Sequence, residues 1–135
     1  MTLFLDACIV IYWVESKNPF YTKLLQILNA IRSKFPSSDF AVSRLTLLEC
    51  RIKPLQERNE GLLKLYEDFF SMEDLQIIEM DADVVDQATL LRAHHGLKTP
   101  DALQAASALR LERETLFLTS DPKFKKVPDQ NVELV

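Results

Sequence analysis

The sequence predicts an α/β protein, a three-layer sandwich in which a mostly parallel sheet of four or five strands lies between two layers of helices. Short apolar runs alternate along the chain with segments whose apolar residues recur at helical spacing. The 135 residues are 47% hydrophobic and 27% charged, which is enough to bury a core. Neither an internal repeat nor a low-complexity linker interrupts the pattern, so we expect a single domain over residues 1–135.

The strands are predicted from apolar runs of three or four residues. They fall at 2–5, 40–42, 75–78, 116–118 and 132–135. The helical segments are predicted at 7–14, 20–31, 44–53 and 62–70, from Asp81 or Asp83 up to Gly96, and from 100 to about 113. Ser43 is expected to cap the third helix, which should stop before Pro54, and Gly96 to end the fifth. Thr99 is expected to cap the sixth helix, with Pro100 at its first position.

Composition excludes several classes of function. Only two glycines occur, which rules out a P-loop or a glycine-rich dinucleotide site. The net charge of −4 shows no general attraction to nucleic acid, although bound cations can reverse the local charge of an acidic site. Cys8 and Cys50 lack CxxC spacing and are expected to be reduced, buried side chains. We find no signal peptide or membrane-spanning run, so we expect a cytoplasmic protein.

Four acidic residues carry the functional prediction. Asp6 is the only charge between Leu3 and Val14, and an unpaired charge in a buried strand is costly. Asp121 follows the fourth strand, and sites in parallel sheets lie beyond the carboxyl ends of strands. Glu49 lies one turn into the helix after the second strand and could equally be a surface residue, as Asp121 before Pro122 could be a turn or cap residue. Asp101 lies in the first turn of the sixth helix, where it could equally serve the helix dipole, so its placement stays open.

Several carboxylates around one crevice repel one another unless a cation lies between them. Mg²⁺ prefers oxygen ligands and is usually held by one or two carboxylates together with phosphates of the substrate. Such an ion activates water and stabilises charge on a phosphoryl oxygen. This chemistry suits the hydrolysis of phosphodiesters.

The residues around these acids resemble those of the PIN-domain nucleases, and in their layout those of VapC-like toxins of toxin–antitoxin pairs. The matching segments are FLDACIVIYW, SRLTLLECR, HHGLKTPDALQAASAL and LFLTSDPKF. The resemblance implies that Asp6, Glu49, Asp101 and Asp121 bind one or two Mg²⁺ or Mn²⁺ ions. It further implies hydrolysis of RNA to a 5′-phosphate and a 3′-hydroxyl.

The same resemblance extends to supporting residues and partners. Thr119 corresponds to a hydroxyl that supports the site, and Ser120 stands where the family often has Asn or Arg. Ala7 and Cys8 follow the first acid, where the family often has Ser or Thr. A homodimer and a cognate antitoxin are the implied protein partners.

Basic residues near the predicted crevice are candidates for holding RNA phosphates. They are Arg44, Lys98 and Lys123, with Arg51, Lys125 and Lys126 in the same group. Their alternative interpretation is ordinary solvated surface charge.

Other functions fit the sequence less well. A phospho-receiver domain needs paired acids after its first strand, and a haloacid-dehalogenase-like phosphatase needs Asp-x-Asp, whereas position 8 is Cys. A metal-free ribonuclease would use His94 or His95, which we expect to lie at a helix C-terminus. The remaining alternative is a catalytically silent PIN-like module that binds RNA or protein.

Overall fold

The computed structural model describes residues 1–135 and contains one five-stranded sheet in which all neighbouring strands are parallel. The spatial order of the strands is β3-β2-β1-β4-β5. They are β1 (Thr2–Leu5), β2 (Asp39–Ser43), β3 (Leu75–Ile78), β4 (Thr115–Thr119) and β5 (Asn131–Leu134). The predicted α/β class is confirmed, and so is the fifth strand.

Six α-helices cover the two faces of this sheet. They are α1 (Ala7–Val14), α2 (Phe20–Lys34), α3 (Arg44–Gln56), α4 (Glu60–Phe70), α5 (Ala82–His95) and α6 (Thr99–Leu109). A short 3₁₀ helix, Pro122–Lys126, follows β4. None of the helices combines the length and the hydrophobicity needed to cross a membrane.

The central strand β1 is buried on both faces, because its side chains alternate between two separate cores. Leu3 and Leu5 pack with residues of α1 to α4. Phe4 points the other way and packs with α5, α6 and Phe117 of β4. Its ring stacks on that of Phe117 with the ring centroids 5.3 Å apart. A strand of this kind leaves no solvent-facing position for a charge.

The predicted boundaries of helices α3 and α6 were wrong. Helix α3 continues to Gln56, because Pro54 is buried in its last turn and Glu57 N still donates to Lys53 O at 2.9 Å. Helix α6 ends at Leu109 rather than near Arg113, because the chain must turn there to enter β4. Helix α6 also begins at Thr99 itself, and the residue before it provides no side-chain cap.

The two glycines predict opposite effects of substitution by alanine. Gly96 ends α5 with φ of +69°, a left-handed conformation that disfavours any Cβ, although its surroundings are open. Gly61 lies inside α4, where a Cβ would meet its nearest atom at 3.8 Å. We expect Gly96→Ala to destabilise the fold by about 1 kcal/mol and Gly61→Ala to stabilise it by about 0.5–1 kcal/mol. Urea denaturation of both variants measures this, and two changes of the same sign would contradict the prediction.

Candidate active site

The order of the strands reverses at β1, and this is where a ligand site is expected. The chain passes from β1 outward to β2 and β3, then crosses over to β4 and β5 on the other side of β1. Ligand sites in open parallel sheets form at such a point, beyond the carboxyl ends of the strands. Asp6 directly follows β1, and its backbone N donates to Leu118 O of β4 at 3.0 Å. Asp121 follows β4 on the same edge.

Asp6 is almost completely buried, with 9% of its surface exposed. One carboxylate oxygen accepts a hydrogen bond from Ala7 N (2.8 Å) at the start of α1, and the other accepts one from Thr119 Oγ1 (2.7 Å). No Lys or Arg forms an ion pair with it. Burial raises the pKa of Asp6 to about 6, and the two hydrogen bonds offset only part of that effect.

The other three acids interact electrostatically with Asp6 or with one another. After burial, the charges of Asp101 and Glu49 also raise the pKa of Asp6. Burial raises the pKa of Asp101 as well, and the charge of Asp121 raises it further. The fold therefore brings all four predicted acids to one region, including Asp101, whose placement the spacing of the sequence had left open.

These carboxylates do not converge on a single point. No group of three or more His, Cys, Asp or Glu side chains lies close enough together to hold a metal ion. Asp121 Oδ1 accepts a hydrogen bond from Lys123 N (2.9 Å), and Glu49 Oε1 accepts one from Gln104 Nε2 (3.1 Å). The donor set consists of carboxylate oxygens, which suits a hard cation such as Mg²⁺. Repulsion between like charges favours separated side chains until a cation lies between them.

Thr119 connects two of the acids. Its hydroxyl donates to Asp6 and accepts a hydrogen bond from the backbone N of Asp121 at 3.1 Å. Ser120 contacts no acid. Its Oγ instead lies 3.2 Å from the hydroxyl of Tyr12 and 3.4 Å from Cys8 Sγ, which itself lies 3.7 Å from Asp6 Oδ2. Cys8 therefore links Ser120 to the buried acid, a contact that the sequence did not reveal.

Two of the six basic candidates lie near the acids. Lys98 and Lys123 lie near Asp101, because the charges of both lower its pKa. Arg44 is bound instead by both carboxylate oxygens of Glu79, at 2.8 and 2.6 Å. Arg51 lines an apolar groove between α3 and α4. Lys125 and Lys126 are exposed on the 3₁₀ helix.

The two histidines lie apart from the acids. His94 and His95 occupy the last turn of α5, where a positive charge complements the helix dipole. They line a small pocket with Leu90, Pro128 and other residues, and none of the four acids contributes to it.

Gln104 is the site residue that reasoning from sequence missed. It is 1% exposed and donates to both Glu49 and the hydroxyl of Thr46. A glutamine within a helix usually indicates a surface position, so composition gives no reason to select it. Its spacing of three residues after Asp101 places both on the same side of α6, and this spacing is the one pattern that could have identified it.

The sequence matches the PIN domain over residues 3–130, nearly the whole chain. The chain belongs to the PIN domain family. None of the curated proteins that were compared matches the sequence.

Solved structures with the same fold include two VapBC proteins. A chain of VapBC2 from Rickettsia felis, bound to a DNA fragment from the promoter, matches with a TM-score of 0.75 and 21% identity, covering 99% of this chain and 98% of that one. VapBC-1 from nontypeable Haemophilus influenzae matches with a TM-score of 0.74 and 18% identity, covering 99% of this chain and 98% of that one. A chain of a toxin–antitoxin complex from Klebsiella pneumoniae matches with a TM-score of 0.66 and 24% identity, covering 95% of this chain and 93% of that one. At these identities the matches establish the PIN fold.

The raised pKa of Asp6 predicts how stability depends on pH in metal-free buffer. A pKa of about 6, raised from 3.8, makes the charged form cost about 3 kcal/mol above pH 6, and this cost disappears below about pH 4. Asp6→Asn keeps an acceptor for Ala7 N and can donate to Thr119. We expect Asp6→Asn to be more stable than the wild type at pH 7.5 by up to about 3 kcal/mol. The difference should shrink toward zero as the pH falls to 4, and urea denaturation in EDTA measures it. A difference that is independent of pH would contradict the prediction.

Proposed function

We propose that the chain is a Mg²⁺-dependent endoribonuclease and acts as the toxin of a toxin–antitoxin pair in the cytoplasm, with residues 1–135 forming one catalytic unit. The observation that carries this proposal is the buried Asp6, whose charge has no cationic partner and is surrounded by further acids. A hard divalent cation is the partner that makes such an arrangement stable. Membership of the PIN family supports nuclease chemistry.

In this proposal Asp6, Glu49, Asp101 and Asp121 would hold one or two Mg²⁺ ions, with Mn²⁺ able to replace them. When bound, the metal lowers the pKa of water and stabilises negative charge on the phosphoryl group. Thr119 orients Asp6 by donating to Oδ2, so that the carboxylate keeps one direction. Ser120 directly follows β4, and its hydroxyl forms hydrogen bonds with the Tyr12 hydroxyl and with Cys8 Sγ.

Two lysines beside the acids are the proposed contacts to the RNA backbone. Lys98 and Lys123 are exposed and lie close enough to Asp101 to lower its pKa. Phosphate contacts of this kind orient a nucleic acid without reading its sequence. Arg44 contributes less in this proposal, because Glu79 already binds its guanidinium through two hydrogen bonds.

Cleavage of RNA by matched variants tests the nuclease proposal. We expect wild-type protein to cut RNA in Mg²⁺ or Mn²⁺ and to stop in EDTA, leaving 5′-phosphate and 3′-hydroxyl ends. Asp6→Asn and Asp101→Asn should each reduce the rate at least about 100-fold, which corresponds to a loss of about 3 kcal/mol of transition-state stabilisation. Asp86→Asn, an exposed acid of α5, is the control and should keep full activity.

Each alternative function predicts a different outcome of the same assay. A 2′,3′-cyclic phosphate product formed in EDTA would indicate a metal-free ribonuclease and overturn the proposal. Binding of RNA without cleavage under any metal condition would indicate a silent PIN-like module.

The groove between α3 and α4 is the proposed surface for the antitoxin. Its volume is about 680 Å³ and most of its lining is apolar. Leu48, Ile52 and Leu55 form a stripe along α3 and are 53%, 47% and 60% exposed. We propose that an apolar segment of the antitoxin lies on this stripe. The similarity to solved toxin–antitoxin complexes supports this choice of partner. We also propose a homodimer, which light scattering of the isolated chain tests.

A toxin is expected to have a small reading frame beside its gene, and binding of the product of such a frame tests the groove. Ile52→Glu places a charge in the apolar stripe, so we expect the affinity for that product to fall at least about tenfold. Leu65→Glu is the matched control, because Leu65 is also an exposed leucine, at 53%, but does not line the groove. Isothermal titration calorimetry measures both. Equal affinity of the two variants would contradict the assignment, and absence of any such reading frame would contradict the toxin role.

A further inference from the structure

Helix α6 presents three polar side chains on one side, at intervals of three residues. They are Asp101, Gln104 and Ser107. Asp101 lies at the acidic region, whereas Gln104 and Ser107 are 1% and 0% exposed. Ser107 Oγ lies 3.2 Å from Ser43 Oγ, at the residue that caps α3. The buried side of α6 that faces the end of β2 and helix α3 therefore carries polar side chains.

Gln104 is the member of this row that contacts a proposed catalytic acid. Its Nε2 donates to Thr46 Oγ1 at 2.8 Å and to Glu49 Oε1 at 3.1 Å, and both acceptors belong to α3. No other group of the protein donates a hydrogen bond to the Glu49 carboxylate. Gln104 therefore determines where Glu49 Oε1 lies and leaves Oε2 free.

The hydrogen bond to Glu49 fixes the orientation of the Gln104 amide and leaves the amide oxygen without a partner. Rotating the amide by 180° would turn Oε1 toward the Glu49 carboxylate, which would repel it. In the observed orientation Gln104 Oε1 is buried and has no hydrogen-bond partner. A buried unpaired carbonyl is unfavourable, and an apolar residue of the same size would avoid that cost. Residues that lower local stability in this way are typical of functional sites.

We propose that Gln104 is a positioning residue that holds Glu49 toward the metal-binding crevice and thereby raises the affinity for the metal ion. The inference rests on the proposed metal-dependent nuclease function and adds a residue to it. Partners that orient a metal ligand typically change metal affinity 10–100-fold when they are removed.

Direct titration of Mn²⁺ into the full chain tests the inference without measuring activity. Gln104→Met keeps the volume and removes both hydrogen bonds, so we expect about tenfold weaker binding of Mn²⁺ by calorimetry, with a cooperative melting transition as the check that the variant is folded. Ser107→Ala is the matched control: it removes a buried hydroxyl from the same side of α6 but does not contact Glu49. Its affinity for Mn²⁺ should equal that of the wild type.

A double-mutant cycle separates positioning from a general structural effect. In a Glu49→Ala background, Gln104→Met should cause no further loss of Mn²⁺ affinity, because its target is gone. Unchanged binding in Gln104→Met alone, or an equal loss in both backgrounds, would overturn the role of Gln104 while leaving the nuclease proposal intact. A wild-type chain that neither binds Mn²⁺ nor cleaves RNA would overturn both.

Discussion

The buried charge of Asp6 is the constraint on which the rest of this structure depends. Asp6 directly follows the central strand, and its carboxylate accepts hydrogen bonds from Ala7 N, from the Thr119 hydroxyl and from Cys8 Sγ, with no cation among its partners. Desolvation outweighs those hydrogen bonds, so its pKa rises to about 6. In the proposed function a bound cation balances this charge, and the neighbouring acids would share in holding that cation. The buried charge lowers the stability of the fold, a property that is common at functional sites.

Topology explains how acids that are distant in sequence reach Asp6. The reversal of strand order between β1 and β4 opens the crevice, and the turn after β4 brings Asp121 to it. Glu49 and Asp101 arrive on α3 and α6, whose buried contact is polar. Hydrogen bonds from Gln104 of α6 to Thr46 and Glu49 of α3 connect these two helices. In this account the polar contact matters more for aligning the acids than for stability, because each buried polar group carries a desolvation cost.

Much of the fold could be predicted because its strongest patterns are local. The apolar runs located all five strands, and their order with the helices predicted a parallel sheet with Asp6 and Asp121 at strand ends. What could not be predicted depends on tertiary contacts. Burial lets α3 continue past Pro54, although proline usually ends a helix. Asp101 resembles an ordinary first-turn acid until α6 is packed against α3. Gln104 resembles a surface residue until its partners across the helix interface are known.

The pKa of the Asp6 carboxyl, with and without Mg²⁺, is the most direct measure of whether a bound cation balances this buried charge. Labelled carboxyl carbon resonances followed by NMR across pH 3–9 report it. We expect the pKa of Asp6 to be about 6 in EDTA because of burial, and to be at least about one unit lower in saturating Mg²⁺ than in EDTA. An Asp6 pKa that is the same in EDTA and in Mg²⁺ would show that no cation compensates this charge and would contradict the account.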